Sequence, residues 1–466
     1  MSIENIKIDN KKSLLSRRWK LHDFDERNVI YFSQKYNLKY IVAKLLSIRG
    51  IDKDYIENFL NPNINNDIPN PNKLKDIEKA TSRVIQAIDN NERIGIIADY
   101  DVDGSTSASI LFKFLKNFTS SIILKIPNRL VDGYGPNIKL MREMLDNKVD
   151  LLLTLDCGTT SNEIIDNKEF KNIDVIVIDH HLSEINLPNV LAVINPNRVD
   201  DTSDYKQLAA VGVTFLFLMY LRKKLRELNK FNEIKEPNLL SYLDLVALGT
   251  VCDVVELKRY NRLFVKKGLE LIHKRYHRGI AKLIDNSKIA SSPTSQDLGF
   301  VVGPQINAAS RIDDSSLASK LLISNDIEQI ESISRKLFLL NEKRKLIESQ
   351  ILEDANNQAT NQSNSNFILV FGNNWHQGVL GIIASKIKDI YYKPTIVISF
   401  SNNIGIGSAR SIENVDLGKI ILNAKTEKLL ISGGGHSMAA GLKINFSNIE
   451  NFKIYLEKSL SLYSKS

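Results

Sequence analysis

The sequence of 466 residues has very little cysteine and no apolar run as long as a membrane span. Its two cysteines, Cys157 and Cys252, cannot make a disulfide framework or a four-thiolate zinc site, and so small a number suits a reducing compartment. A membrane helix needs about 18 or more consecutive apolar residues, and the longest apolar run here, 215–221, predicts a buried helix. The N-terminus also lacks the apolar segment of a signal peptide. We therefore expect a cytoplasmic protein that is not inserted in a membrane.

The chain is too long for one ordinary domain and carries more basic than acidic residues. Lys and Arg number 62 and Asp and Glu 54, which gives a formal net charge of +8. The 43% of hydrophobic and 25% of charged residues are ordinary for globular proteins and exclude wholesale disorder and fibrous folds. At about 100–200 residues per domain, two or three domains are expected. The basic excess favours an anionic partner.

Hydrophobic periodicity divides the chain into a helical start and two α/β regions. Residues 1–75 have the apolar spacing of helices. From 76 to 325, short apolar runs alternate with helical patterns, which is typical of βαβ units and a parallel sheet. Residues 326–366 predict a long connecting helix that ends in a polar linker, 356–366. A second, smaller α/β domain is expected over 367–466.

Three apolar runs of the first α/β region each end in aspartate. IGIIA precedes DYDVDG (99–104), LLLTL precedes DCG (156–158), and VIVI precedes DHH (179–181). Nearly continuous Val, Ile and Leu indicate parallel strands that are covered on both faces, and ligands bind at the carboxyl ends of such strands. If the three strands are neighbours, five carboxylates and two imidazoles converge there. A fourth apolar element ends at Asp253, which needs a partner if it is buried.

One aspartate after a strand is usually a turn former or a helix N-cap, and a histidine pair is more often structural than a ligand. Several of them in one place are more informative, because neighbouring carboxylates repel each other strongly unless cations neutralise them. Oxygen ligands with one or two imidazoles favour Mn²⁺ or Mg²⁺ over zinc. Two such ions promote in-line displacement at phosphorus, so the residues alone predict phosphoester hydrolysis. Cys157 and Cys252 adjoin these residues, and we interpret them as buried packing groups.

Five further segments accompany these motifs: IPNRLVDGYG, GPQINAASRI, WHQGVLGIIA, GSARSI and GGGHSMAAGL. Together and in this order, the motifs resemble the DHH phosphoesterase superfamily and within it the RecJ single-stranded-DNA-specific 5′→3′ exonucleases, from about residue 49 to residue 442. The resemblance implies an α/β fold in which a parallel-sheet DHH catalytic domain is joined by a long helix to a smaller DHHA1-type α/β domain. The active cleft would lie between the two domains.

The resemblance also implies roles for individual residues. Two divalent cations, Mn²⁺ or Mg²⁺, would be bound, one by Asp101, Asp156, His180 and Asp253, the other by Asp99 and Asp103 with Asp101 or Asp156 bridging. The catalytic residues would be Asp101, Asp103 and His181, with His181 at the scissile phosphate. The residues expected to face nucleic acid are Arg129, Arg311, His376, Ser408, Arg410 and His436. We hypothesise that Arg129, Ser408 and Arg410 form a pocket for a 5′-phosphate.

The sequence departs from the family pattern in two places. Gln305 and Ser310 stand where the family usually has Arg and Gly. Only 24 residues follow Leu442, too few for the OB-fold that known RecJ enzymes carry. We therefore expect no C-terminal OB-fold, and hence weaker and more salt-sensitive binding of single strands.

The expected function is hydrolysis of single-stranded DNA to 5′-mononucleotides in DNA repair and recombination, by a monomer whose partners include a single-strand-binding protein and a helicase. One alternative is a phosphodiesterase of short oligonucleotides, cyclic dinucleotides or nucleoside bisphosphates, against which WHQGVLGIIA and GSARSI argue. Another is a non-catalytic scaffold, which would have lost metal ligands, whereas every expected Asp and His is present.

Overall fold

The computed structural model describes residues 21–289, 291–362 and 364–461, and the chain forms two compact units. The first unit runs to Pro69 and includes Lys258–Leu263, and the second comprises Asn70–Leu257 and the chain from Phe264 onward. Within the described residues, no helix combines the length and the hydrophobicity that crossing a membrane requires.

The first unit is helical over the residues that the structure describes, and residues 1–20 of the predicted helical region, 1–75, lie outside them. Its helices are α1 (Glu26–Lys35), α2 (Tyr40–Ile48), α3 (Ile56–Leu60) and α4 (Ile64–Asp67). The carboxylate of Asp25 caps α1 by accepting a hydrogen bond from the backbone N–H of Arg27. Apolar residues at helical spacing meet in a small core formed by Val29, Phe32, Ala43, Leu46 and Ile56.

The first sheet of the second unit is entirely parallel. Its elements in chain order are α5 (Ile77–Asp89), β1 (Ile94–Ala98), α6 (Val102–Leu115), β2 (Ile122–Lys125), α7 (Ile138–Asp146), β3 (Leu151–Leu155), α8 (Asn162–Ile165), β4 (Asp174–Ile178) and β5 (Ala192–Ile194). The strand order is β2-β1-β3-β4-β5. Every residue of β1 and β3 is buried, which explains their unbroken apolar sequences. Strands β1, β3 and β4 are neighbours, which is the condition for their terminal aspartates to converge.

A group of helices follows this sheet. They are α9 (Ala210–Glu227), α10 (Leu243–Cys252), α11 (Arg259–His273), α12 (Arg278–Asn286), α13 (Ser295–Asp297), α14 (Gly303–Ile312) and α15 (Leu317–Ile323), with one π-helical turn, Leu298–Val302, before α14. The long apolar run 215–221 lies in α9, which packs against α6 and α10 and is buried along most of its length. Helix α10 is followed directly by Asp253, so this element brings Asp253 to its carboxyl end.

The second sheet is smaller and mixed. It is preceded by the long helix α16 (Ile327–Thr360) and built from β6 (Ile368–Asn373), α17 (Leu380–Tyr391), β7 (Thr395–Ser401), β8 (Ile404–Arg410), α18 (Leu417–Thr426), β9 (Ser432–His436), β10 (Ala439–Asn445) and α19 (Ile449–Ser461). The strand order is β6-β7-β8-β10-β9, with β6 and β7 parallel and the other pairs antiparallel. The predicted fold class, two α/β regions joined by a long helix, is therefore confirmed.

Helix α16 extends further than the polar sequence predicts, because its last turns have a partner. The expected linker began at Asn356, yet the helix continues to Thr360. The side-chain amide of Gln358 donates to the carbonyl of Phe371 (2.9 Å) and accepts its N–H (3.1 Å). The side-chain amide of Gln362 likewise donates to the carbonyl of Leu369 (2.8 Å) and accepts its N–H (3.0 Å). These amides satisfy the free edge of β6, which a neighbouring strand would otherwise occupy.

Candidate metal centre and nucleic-acid interface

The DYDVDG segment places three carboxylates between β1 and α6 in three different ways. Asp99 follows the last residue of β1 and is buried. Asp101 is the N-cap of α6 and accepts the N–H of Gly104 at 3.0 Å. Asp103 lies in the first turn of α6, where its two oxygens accept the first two backbone N–H groups of α9, at 2.6 and 2.9 Å. The segment therefore joins two helix N-termini to the end of a central strand.

Asp156 is presented by an unusual backbone conformation. It follows β3 with a φ of 60°, in the left-handed region that few residues other than glycine adopt. Its N–H donates to the carbonyl of Ile178 at the end of β4, which holds this turn against the neighbouring strand. Its Oδ1 then lies 3.4 Å from His180 Nε2 and 3.9 Å from His181 Nδ1. Strain of this kind is common at functional sites.

Asp179 organises the DHH segment. Its carboxylate accepts the backbone N–H groups of His180 (2.7 Å), His181 (3.2 Å) and Thr159 (3.2 Å), and the His181 Nδ1–H at 2.8 Å. Burial raises the pKa of Asp179, but the bond from His181 and the other donors outweigh it and hold the pKa below its usual range. Burial lowers the pKa of His181, and Asp179 overcomes this to raise it to about 9. The pair is therefore a carboxylate with an imidazolium.

His180 stands at the middle of the converging carboxylates. Its Nε2 lies 3.4 Å from Asp156 Oδ1, 3.5 Å from Asp253 Oδ2 and 3.9 Å from Asp103 Oδ2. Three overlapping groups of potential ligand atoms, each within 4.8 Å, are Asp103–His180–Asp253, Asp99–Asp101–Asp156 and Asp156–His180–His181. All six expected metal ligands thus come together. Their partition differs from the expected one, because the geometry groups Asp103, and not Asp101, with His180 and Asp253.

The electrostatics of this cluster fit divalent cations. Four buried ligand atoms have no hydrogen-bond partner: Asp99 Oδ1, Asp156 Oδ1, His180 Nε2 and Asp253 Oδ2. Burial, and then repulsion between the carboxylates, raises the pKa of Asp99, Asp103 and Asp156, and raises that of Asp253 to about 7. Burial lowers the pKa of His180 to about 4, so its imidazole is neutral and able to ligate. Cations bound here would neutralise the repulsion and satisfy the orphaned atoms.

Tyr134 supports the cluster from the IPNRLVDGYG segment, and no pattern in the sequence assigned it a role. Its hydroxyl donates to the carbonyl of Asp156 at 2.8 Å and lies 3.2 Å from His181 Nδ1. Its ring also meets the His181 ring edge-on, with the centroids 5.6 Å apart. Burial raises the pKa of Tyr134, so it stays a hydroxyl. Tyr134 therefore fixes both the strained Asp156 turn and the orientation of His181.

Three arginines form a basic cluster beside the acidic centre. The Arg129 guanidinium lies over the ring of Tyr100, 4.9 Å from its centroid, and Tyr100 separates Asp99 from Asp101 in the chain. Burial, and then the charge of Arg129, lowers the pKa of Arg311 to about 9 and also lowers that of Arg410. In the part of the chain that the structure describes, none of these arginines forms an ion pair with a carboxylate. The cluster is therefore suited to an external anion.

Two other predicted phosphate ligands, Ser408 and His376, lie near members of this cluster. Ser408 and Arg410 lie on β8 and both face Gly381 of α17, where a Cβ would be 3.7 Å from Ser408 Oγ and 2.9 Å from Arg410 Nη2. His376 Nδ1 accepts the N–H of Gly378, whose carbonyl accepts a bond from Arg311 Nη1 at 3.0 Å.

Three residues of these segments lie apart from the basic cluster. His436 is exposed at the end of β9, two strands from Arg410. Gln305, one of the departures from the family pattern, is buried and donates to Ser287 Oγ and to the Val301 carbonyl. Ser310 is also buried, and its hydroxyl donates to the carbonyl of Asn307. Gln305 and Ser310 thus bond within the fold.

Known families and proteins are similar to this chain. The profile described as DHH family, N-terminal domain, matches residues 93–250, and the DHHA1 domain matches 364–461. The single-stranded-DNA-specific exonuclease RecJ of Haemophilus influenzae is 37% identical over an alignment of 395 positions, and the match covers 82% of this chain and 69% of that protein. The same enzyme of Escherichia coli is 34% identical over 83% of this chain and 69% of its own length.

Solved structures agree with these sequence matches. A crystal structure of exonuclease RecJ bound to manganese has a TM-score of 0.73 and 30% identity, and covers 83% of this chain and 95% of that chain. RecJ from Thermus thermophilus in complex with Mn²⁺ has a TM-score of 0.80 and 27% identity, and covers 95% of this chain and 62% of that chain.

Proposed function

This chain belongs to the RecJ family of DHH phosphoesterases, and we propose that it is a metal-dependent exonuclease that degrades single-stranded DNA from the 5′ end to mononucleotides. The observation that carries the proposal is the convergence of six metal-ligand side chains at the carboxyl ends of three neighbouring strands, with four of their buried atoms lacking any partner. A basic cluster of three arginines adjoins this centre.

Two of the three overlapping groups together contain all six expected ligands and suit two cations. Asp103, His180 and Asp253 would hold one, and Asp99, Asp101 and Asp156 the other. When bound, such cations lower the pKa of a water molecule and neutralise charge on a leaving oxygen. The protein contributes rigidity, because the first N–H groups of α9 fix Asp103 and the Gly104 N–H fixes Asp101.

His181 is placed to stabilise the charge that develops on the scissile phosphate. Its side chain is 43% exposed, whereas that of the ligand His180 is 12% exposed. Its Nδ1 is held by Asp179, so its Nε2–H is left to donate to a phosphate oxygen. Tyr134 and Asp179 fix the ring before substrate arrives, which avoids reorganisation during the reaction.

The basic cluster supports a 5′-phosphate pocket formed by Arg129, Ser408 and Arg410, with Arg311 behind it. Arginine presents a fork of donors that matches phosphate oxygens. Cleavage that releases a 5′-mononucleotide leaves a new 5′-phosphate on the remaining strand, so the same pocket is refilled at every step. Arg129, stacked on Tyr100 between two metal-binding aspartates, connects this pocket to the cleavage site.

The experiment that tests the function uses single-stranded DNA labelled at its 5′ or 3′ end, with Mn²⁺ or Mg²⁺. We expect the 5′ label to leave as a mononucleotide at once, the 3′-labelled strand to shorten gradually, and both reactions to vanish in Asp101→Ala and His180→Ala. The exposed His273 provides the matched control, His273→Ala, which retains activity. Release of the 3′ label first would contradict the polarity.

The alternative within the superfamily is a hydrolase of short oligonucleotides, cyclic dinucleotides or nucleoside bisphosphates. Chain length separates the two functions. An exonuclease that grips the strand at its basic cluster degrades long strands at least as fast as dinucleotides. Preference for dinucleotides or for nucleoside bisphosphates over long strands would favour the alternative.

A further inference from the structure

A cavity lies at the opposite end of α6 from the metal centre. It has a volume of about 390 Å³ and is lined by the end of α6, the segment before α10, the residues that begin α12, and the residues after α15. Lys113, in its wall, is ten residues after Asp103, about 15 Å along the helix axis at 1.5 Å per residue. Two cations, Lys113 and Arg278, line this cavity, and none of its described lining residues is acidic.

The ammonium of Lys113 has no acceptor in the described part of the fold. Its Nζ lies 3.2 Å from Nε2 of His277. However, His277 Nδ1 accepts the N–H of Ile280, and its Nε2 lies 2.9 Å from the carbonyl of Leu322. The neutral ring therefore carries its proton on Nε2, where it donates to Leu322, and cannot accept from Lys113. Among the described residues, no carboxylate lies within ion-pair distance of Lys113.

The surrounding charges agree with an uncompensated ammonium. Burial lowers the pKa of Lys113, and the nearby Asp244 opposes this only in part. Burial, and then Lys113, lowers the pKa of His277 to about 3, which keeps its ring neutral. Burial raises the pKa of Asp244 to about 7, so this carboxyl group neutralises Lys113 incompletely. Lys113 is only partly buried, and a cation that lines a cavity without carboxylates and has no acceptor in the described fold favours an anion from outside.

The rest of the wall indicates the kind of anion. Tyr242 and Tyr276 add hydroxyl groups to the two cations, and this combination of donors suits phosphate oxygens, whereas the hydroxyl of Ser241 already donates to the carbonyl of Asn238 at 2.6 Å. The cavity is larger than phosphate needs and lies in the size range of small-molecule sites. Tyr276 is 60% exposed and offers an aromatic face at the rim. Proteins commonly bind a nucleobase by stacking it on such a face when they do not distinguish one base from another.

We propose that this cavity binds a nucleoside monophosphate, with the phosphate between Lys113 and Arg278 and the base against Tyr276. The site is separate from the metal centre and needs no metal ion. Its occupation therefore does not depend on the exonuclease function. Inorganic phosphate can bind the same two cations but lacks a base to contact the ring of Tyr276. We therefore expect it to bind more weakly than the nucleotide.

The test is isothermal titration calorimetry in EDTA with deoxyadenosine monophosphate or inorganic phosphate. The protein carries Arg410→Ala, which removes the competing 5′-phosphate pocket. We expect one nucleotide per chain, weaker binding of inorganic phosphate at the same place, and at least about tenfold weaker nucleotide binding when Lys113→Met is added. Lys113→Arg keeps the charge and retains binding. Lys116→Met, an exposed lysine three residues further along, is the matched control and leaves the affinity unchanged.

A second variant keeps the proposal testable if Lys113→Met does not fold. Arg278 is exposed at the cavity rim, so Arg278→Met leaves the core intact and is expected to weaken nucleotide binding by a similar factor. No nucleotide binding at millimolar concentrations in the Arg410→Ala protein would overturn the proposal, as would an affinity that neither Lys113→Met nor Arg278→Met changes. Equal affinities for phosphate and nucleotide would overturn the contact with Tyr276.

Discussion

Five aspartates of this site divide into two chemical classes according to what surrounds them. Asp99, Asp103, Asp156 and Asp253 are pushed towards protonation by burial and by neighbouring carboxylates, as metal ligands without metal should be. Asp179, which is also buried, is held charged by four donors. Environment, and not residue type, therefore separates the ligands from the carboxylate that orients them.

Replacing Asp179 by Asn is expected to lower the rate of nucleotide release about 10- to 100-fold, which is the usual effect of removing a partner that orients a metal-site residue. The amide cannot accept all the N–H groups that converge on this carboxylate, so His181 loses its orientation and its raised pKa. The control is Asp174→Asn, at the exposed start of the same strand. An unchanged rate in the Asp179 variant would contradict its role in positioning.

Replacing Arg410 by Ala is expected to abolish the preference for a 5′-phosphorylated strand over a 5′-hydroxyl strand. The reason is that Arg410 presents donors beside Ser408 in the basic cluster and pairs with no carboxylate in the described chain. Rates on the two substrates, measured in parallel for the variant and the wild type, check this. If the variant keeps the wild-type preference, the 5′-phosphate lies elsewhere.

For individual residues, the sequence predicted which side chains come together but not how the metal ligands are divided between the two cations. Aspartates at the ends of apolar runs predicted the cluster, since parallel strands align their carboxyl ends. The grouping of Asp103 with His180 depends on the N-terminus of α9, and the position of Asp156 depends on its left-handed backbone. Tyr134 went unassigned because its partner is a backbone carbonyl, which leaves no pattern in the sequence.

At the scale of elements, strands were easier to predict than the ends of helices. The unbroken apolar runs of β1, β3 and β4 predict directly that these strands are buried. Helix α16 was predicted to give way to a linker at Asn356, because a polar segment has nothing to bury. Its glutamines instead hydrogen-bond the edge of β6, and a contact with a later strand cannot be read from local composition.

Replacing Gly104 by Ala is expected to destabilise the protein by about 1–3 kcal/mol. Helix propensity alone would favour Ala in α6 by about 0.5–1 kcal/mol. However, the new Cβ would lie 2.3 Å from the carbonyl oxygen of Asp99, and backbone at the end of a central strand cannot move aside. Urea unfolding measures the difference. Gly434→Ala, in a strand with nothing within 4 Å of the new Cβ, is the control. A Gly104→Ala protein as stable as the wild type would contradict the packing of α6 on β1.

Considering the whole molecule, an acidic metal centre adjoins a basic cluster of three arginines on a chain of net charge +8, and Arg129 over the ring of Tyr100 is the contact between them. The fold class and the family were both predicted from ordered motifs spread along the chain, and the comparisons bear this out. The domain boundaries stay predictions, and so do the partner proteins, the monomeric state and the cytoplasmic location, on which no contact within a single chain reports.

Binding of single-stranded DNA in EDTA is expected to weaken steeply with salt, because phosphate contacts release counterions at about 0.7 per contact for single strands. Arg129→Ala and Arg410→Ala should each reduce the slope of log affinity against log salt by about that amount. The exposed Lys116→Met should leave the slope unchanged. Fluorescence anisotropy across a salt series measures these slopes. Wild-type binding that does not respond to salt would contradict a basic strand-binding face.

The cluster around His180 is expected to hold two divalent cations. Anomalous scattering from manganese-soaked crystals tests it directly, because it locates the ions without reference to activity. We expect two manganese peaks, one bounded by Asp103, His180 and Asp253 and the other by Asp99, Asp101 and Asp156. Neither peak is expected in the double variant that carries both His180→Ala and Asp156→Ala. Manganese peaks that all lie away from these six side chains would contradict the assignment of a two-cation centre.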